Sequence, residues 1–208
     1  MKQRTLVVFI SLLLFQGCGT WKTIPMETNF NHSIEMVEDS DFGKLYLAPG
    51  FTFKEPAILV VLDPSVDRIL EKNDIDPDEI KFFFKNKLIK ELKATGVFSK
   101  VLEDKSELSN SNKSDQRIYF LTSEFTELEP GNRGLRYMAG NFGAGAVKVQ
   151  VETAIKNLKT KDIYFMASSR RAGSVGAFGG NSKGFIIDSL IDIAKAHGRF
   201  FTKITTEK

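Results

Sequence analysis

The chain has 208 residues, 42% hydrophobic and 26% charged, a balance ordinary for a folded domain. Its net charge of +3 includes Lys2 and Arg4 at the extreme N-terminus, so the rest is near neutral and lacks the basic footprint of a nucleic-acid binder. A single cysteine excludes an internal disulfide and a cysteine-built zinc site, and eighteen phenylalanines point to a bulky aromatic interior.

The first element is an export leader. Lys2 and Arg4 give a positive start, and Leu6 to Phe15 (LVVFISLLLF) is an apolar run broken only by Ser11. Ten helical residues rise about 15 Å, half of a bilayer core of about 30 Å, so the run suits a cleaved signal rather than a span. Gln16, Gly17 and Cys18 follow. The Gly17–Cys18 junction resembles a bacterial lipobox, whose usual form is Leu, Ala or Ser, Gly or Ala, then Cys. Phe15 and Gln16 depart from that form and look more like the relaxed spirochaete version. The resemblance implies a diacylglyceryl thioether on Cys18, and two or more acyl chains hold stably at a bilayer. Residues 1–17 are therefore expected to be the signal peptide, 18–44 the lipidated cysteine and tether, and 45–208 a single domain.

After Cys18, Gly19 to Asp41 is polar and weakly patterned and reads as the tether. Leu45–Ala48 and the apolar Ala57–Leu62 read as strands, the second closed by Asp63-Pro64. Asp76 is placed to cap a helix, with Pro77 at its first position, Glu79 to close a capping box, and Ile75 and Ile80 as a hydrophobic staple. Ile80, Phe83, Phe84, Leu88 and Leu92 then recur at helical spacing, and Gly96 is placed to end the helix. Lys81, Lys85, Lys87, Lys90 and Lys93 read as its solvated face, with a membrane-facing surface as the alternative.

Val97–Leu102 reads as a short strand, Glu103–Gln116 as a polar loop and Arg117–Leu128 as a strand. A Gly-rich segment follows, Gly131 to Ala146 (GNRGLRYMAGNFGAGA). Val147, Val149, Val151 and Ile155 alternate with Lys148, Gln150, Glu152 and Lys156, the period of a strand with one buried face. A turn near Lys159-Thr160 leads to a second strand, Ile163–Arg171, and then to a second Gly-rich segment, Gly173 to Gly184 (GSVGAFGGNSKG). Ile186, Ile187, Leu190, Ile193, Ala194 and Phe201 define a closing amphipathic helix. Strands interrupted by two separated helices predict an α+β domain: a mixed or antiparallel sheet with two main helices on one face.

No pattern for catalysis emerges, and no enzyme is expected. His32 falls in the tether and His197 on the last helix, neither with a partner at metal-ligand spacing; His197 continues the apolar stripe and reads as a partly buried packing residue. Gly179-Gly180-Asn181-Ser182-Lys183-Gly184 lacks the order of a phosphate loop, and Gly140, Gly143 and Gly145 precede a strand rather than a helix. Arg133, Arg136, Arg170 and Arg171 are weighed as an anion site against charges in solvent at strand ends, the commoner case. No cofactor or metal is expected.

Arg136 to Ala146 (RYMAGNFGAGA) with the Val147–Val151 strand resembles an uncharacterised bacterial lipoprotein family, domain of unknown function 4410. Its members carry an Arg, a Gly-Phe-Gly-Ala-Gly-like turn, an alternating strand, a second strand, a Gly-rich loop and a terminal helix. Gly176 to Gly180 (GAFGG) matches that loop, while Asn141 stands between Gly140 and Phe142 and departs from the turn. The likeness runs from about Ala57 to Phe201 in element order and is specific from Arg136 to Gly180. It implies a periplasm-facing lipoprotein without known catalysis and supplies no substrate and no catalytic residue; the expected address is the bacterial envelope, lipid-anchored at the outer membrane.

The function expected is a non-enzymatic accessory or scaffold module that binds another envelope component; the alternative is a carrier of a lipid or other amphiphile in a Phe-lined cavity. With the turn centred near Lys159-Thr160, paired residue numbers in a regular hairpin sum to about 319. Gly143 then faces Gly176, Gly145 faces Ser174, and the two Gly-rich segments share one end of the hairpin. Met138, Phe142 and Phe178 would give apolar contact there, with Arg136 to orient a polar group and Gly143, Gly145, Gly176 and Gly179 to allow close backbone approach. The alternative is that the glycines serve only tight turns and a bulge.

Overall fold

The computed structural model describes residues 20–22, 34–51, 57–69, 75–111, 117–131, 145–173 and 181–206. In chain order these are β1 (Thr20–Lys22), β2 (Val37–Asp39), β3 (Gly43–Leu47), β4 (Ala57–Val61), α1 (Pro77–Ala94), β5 (Lys100–Leu102), a 3-10 turn (Lys105–Ser111), β6 (Arg117–Glu129), β7 (Val147–Asn157), β8 (Ile163–Gly173) and α2 (Ser182–Thr206). The strands form one eight-stranded sheet in the order β2-β3-β8-β7-β6-β4-β5, and β1 also pairs with β8. β4 runs parallel to β5 and β6, and every other pairing is antiparallel. The sheet is mixed, both helices pack on one face of it, and the fold is α+β as the sequence predicts.

β4 is buried at all five positions because it lies between two parallel neighbours and is covered on both faces. Ala57, Leu59 and Val61 join the main core under the helices, whereas Ile58 and Val60 join Leu102 in a small second core closed by Leu108, Ile118 and Phe120.

α1 starts where its cap places it. Asp76 is extended and its carboxylate accepts from the Asp78 N–H at 2.9 Å, with Pro77 next. Ile75 and Ile80 are both buried, as a staple requires. Glu79 departs from the expected capping box and instead accepts from Lys183 of α2 at 2.7 Å. Ile80, Phe84, Leu88, Ile89 and Leu92 face the core, and Phe84 meets the Phe125 ring edge-on at 5.6 Å. Gly96, at φ 65°, ends the helix in the left-handed region. Because Glu79 meets Lys183 and Glu91 lies against Gly198, α1 and α2 run in the same direction.

The segment read as a tether is not free chain throughout. Thr20–Lys22 pairs with Lys22 opposite Arg171 and Thr20 opposite Gly173, and Val37–Asp39 forms an edge strand on β3. The sequence hid these strands because each is only three residues long, too short for a period to emerge.

The β7–β8 register also corrects the expectation. Lys156 faces Ile163, the sum of 319 predicted next to the turn, but Ile155 faces Phe165 and every pair beyond sums to 320. Tyr164 is the extra residue of a bulge. The bulge puts consecutive aromatics on the core side: Tyr164 stacks on Phe51 at 4.4 Å, and Phe165 packs against Phe200 at 5.3 Å and Phe201 at 5.2 Å. A second bulge at Thr126 does the same for Phe125 and Leu128, which share the helix face although three residues apart.

The described core phenylalanines build the bulky aromatic interior expected from their number. Phe42 meets Phe165 at 5.7 Å and Phe200 at 5.5 Å, and Phe98 meets Phe201 at 5.6 Å, mostly edge-to-face. Rings in such contact fill the interior between sheet and helices.

Candidate functional site

At one end of the sheet β6 leaves, β7 begins, β8 leaves and α2 starts. This is the open end of the β7–β8 hairpin, where Val147 pairs with Gly173. Gly131, at φ 75°, follows β6, and Gly145, at φ 74°, precedes β7. A Cβ on Gly131 would strike the carbonyl oxygen of Gly145 and stand 2.9 Å from that of Ala146, so two backbones meet with no room for a side chain. A Cβ on Gly173 would strike the Phe185 ring of α2. Sequence reasoning singled out Gly145 and gave Gly131 and Gly173 only as bounds of the two segments. Gly145 serves a left-handed turn into β7.

The structure brings the flanks of both Gly-rich segments to this one end, the premise of the expected site. Arg136, Met138, Phe142, Gly143, Gly176, Phe178 and Gly179 lie outside the described residues, as do Cys18 and His32.

Below this end, Arg171 is 3% exposed under α2. Its Nε donates to Asp192 at 2.8 Å, its Nη1 to the Arg170 carbonyl at 3.1 Å and its Nη2 to the Asp41 carbonyl at 2.9 Å. Arg199 donates to the Asp41 carboxylate at 2.8 Å, so β8, α2 and the β2–β3 turn are clasped by one network. Arg170, on the opposite face, forms a two-pronged pair with Glu127 at 2.6 and 3.0 Å, which raises the guanidinium pKa. These two arginines are not charges in solvent; each has a carboxylate partner within the fold. The signal was available for Arg171, which shares strand parity with Phe165, Ala167 and Ser169.

His197 is a packing residue as expected, but fully rather than partly buried. Its ring stands edge-on to Phe42 at 4.8 Å. Nδ1 lies 2.8 Å from the Ile193 carbonyl, an acceptor only, so Nδ1 carries the proton. Nε2 is then the acceptor for the Thr153 hydroxyl at 2.9 Å. Burial, against the weaker opposing effect of the Ile193 bond, lowers its pKa to about 4. A neutral histidine with both nitrogens engaged is a structural group.

The sheet face away from the helices carries buried polar side chains, Gln150, Glu152 and Ser168, with Gln150 Nε2 3.4 Å from Glu152. Glu152 lies between Glu124 of β6 and Ser168 of β8, and Glu124 pairs with Arg68 at 2.8 Å. A groove of about 540 Å³ is lined by Glu91, Lys195, Arg199, Thr202 and Lys203, all polar. Among the described residues there is no group of three or more His, Cys, Asp or Glu placed to hold a metal, and no helix long and apolar enough to cross a membrane.

The family model described as Domain of unknown function (DUF4410) matches residues 60–188, from within β4 to the second turn of α2. The chain belongs to this family. In this DUF4410 member the matched span holds α1, β5 to β8, both bulges and the glycines of the open end. Comparison with curated proteins finds no match. Among solved structures, the chain is similar to protein XCC0632 from Xanthomonas campestris, with 11% identity, 77% of this chain and 91% of that one covered, and a TM-score of 0.49. It is similar to a PelC dodecamer subunit from Paraburkholderia phytofirmans, with 13% identity, 73% and 93% covered, and a TM-score of 0.44. It is also similar to lipoprotein GNA1162 from Neisseria meningitidis, with 12% identity, 66% and 96% covered, and a TM-score of 0.39.

Proposed function

We propose that this DUF4410 protein is a non-enzymatic accessory lipoprotein of the bacterial envelope. It is exported, cut before Cys18, held by lipid on that cysteine at the outer membrane, and binds another envelope component. The observation that carries the reading is the leader: Lys2 and Arg4, ten largely apolar residues, then Gly17 and the sole cysteine. The described polar groups that invite a chemical reading support it too, because His197 and Arg171 are held in bonds that join sheet to helix. The binding role is tested by crosslinking in intact cells, followed by recovery of the full-length chain under denaturing conditions. A discrete, reproducible adduct with another envelope protein is expected. Recovery of the chain without any adduct, or with a bound amphiphile in native mass spectrometry and no protein, would overturn the accessory role.

A further inference from the structure

The geometry points to a fixed stance on the membrane: the open end of the β7–β8 hairpin faces the lipid headgroups, and the Leu158–Lys161 turn faces away. This inference rests on the lipid-anchor reading and adds an orientation to it. β1 is antiparallel to β8, with Thr20 opposite Gly173, Trp21 opposite Ala172 and Lys22 opposite Arg171. β8 leaves the sheet at Gly173, so Thr20 is the β1 residue nearest the open end. Thr20 stands two positions after Cys18, a reach of at most about 7 Å. β7 alone is 11 residues long. At roughly 3.3 Å per residue it stands about 35 Å tall, several times that reach. A lipid held so close to one end of so tall a sheet keeps that end at the bilayer, and an upright sheet carries the other end about 35 Å away. A free tether over residues 19–41 would behave differently: about 23 flexible residues spread over roughly 26 Å and would set no orientation.

The charges described at this end are paired, Lys148 with Glu129 at 2.7 Å and Lys183 with Glu79 at 2.7 Å. Because the anchor lies within about 7 Å of this end, its occupant is the bilayer that holds the lipid.

The test uses the full-length chain, expressed in a lipoprotein-processing host, extracted in detergent and reconstituted into phosphatidylethanolamine–phosphatidylglycerol vesicles. Acylation blocks Cys18, so one introduced cysteine is the only free thiol. A fluorophore is placed at Lys183→Cys, at the open end, or at Lys159→Cys, in the turn; both parent residues are exposed. Vesicles carry nitroxide on the lipid headgroup. Several-fold stronger quenching at position 183 than at 159 is expected. Equal quenching, or stronger quenching at 159, overturns the orientation. Inserting about twenty Gly/Ser residues, roughly 25 Å of flexible chain, between Gly19 and Thr20 should erase the difference; its persistence would show that β1 does not set the stance. The intact mass of the same preparations separates the two readings. A chain without acyl mass overturns the anchor and the orientation together, whereas an acylated chain with equal quenching overturns the orientation alone.

Discussion

Replacing His197 by Gln removes a titrating group from the core while keeping a donor and an acceptor near Thr153 and Ile193. In the folded chain burial lowers the His197 pKa to about 4, against an ordinary value of 6.5. The neutral ring is thus favoured by folding. Between these two values the unfolded chain binds a proton that the folded chain does not, so stability rises with pH across that window. The contribution is fully present above pH 6.5 and is lost as pH falls toward 4. A displacement of this size corresponds to about 3 kcal/mol. Urea unfolding of the leaderless chain, followed by far-ultraviolet circular dichroism at several pH values, measures it. Exposed carboxylates titrate alike in both proteins, so the difference between His197→Gln and the parent isolates this ring. The parent should lose about 3 kcal/mol more than the variant on going from pH 7 to pH 4. Parallel curves across that range would refute the buried neutral ring and the tautomer assigned to it.

Other expectations follow from the packing. Phe84→Ala should cost about 3–5 kcal/mol in the same assay, because the ring is fully buried against Phe125; an unchanged midpoint would mean that the stripe faces a partner instead. Asp192→Ala leaves the buried Arg171 without its carboxylate and should cost about 3 kcal/mol, well above Arg199→Ala, whose side chain is half exposed; equal losses would contradict the clasp. Gly131→Ala should be worse than Gly50→Ala by thermal melting. Both residues have positive φ, but only at Gly131 would the new Cβ meet backbone oxygen. Equal melting temperatures would mean that the strand ends at the open end separate freely.

Much of this fold was legible because its long elements carry strong periods. The Asp76–Pro77 cap, the α1 stripe, the Val147–Ile155 alternation and the burial of His197 all follow from side-chain spacing. The misses have physical causes. A strand of three residues offers no period, so β1 and β2 were hidden in a polar stretch. A bulge inserts one residue without a compositional mark, so Tyr164 shifted the hairpin register by one and Thr126 broke the β6 alternation. The phenylalanine count, by contrast, did foretell the aromatic interior, where the described rings pack on one another. Of the proposed contact surface, the hairpin pairing correctly brings the flanks of both Gly-rich segments to one end. Sequence reasoning placed Gly145 in that surface but gave Gly131 and Gly173 only as segment bounds, because a close backbone approach depends on contacts distant in the chain.

Anchoring through Cys18 is tested most directly by the intact mass and membrane partition of the full-length chain beside Cys18→Ala. The native chain should lose residues 1–17, gain the mass of a diacylglyceryl group with or without an N-acyl chain, and stay with membranes through a high-salt wash. Cys18→Ala should remain uncut or leave with the soluble fraction. A native chain of unmodified mass, or a cleaved Cys18→Ala that stays on the membrane after that wash, would contradict the lipid anchor.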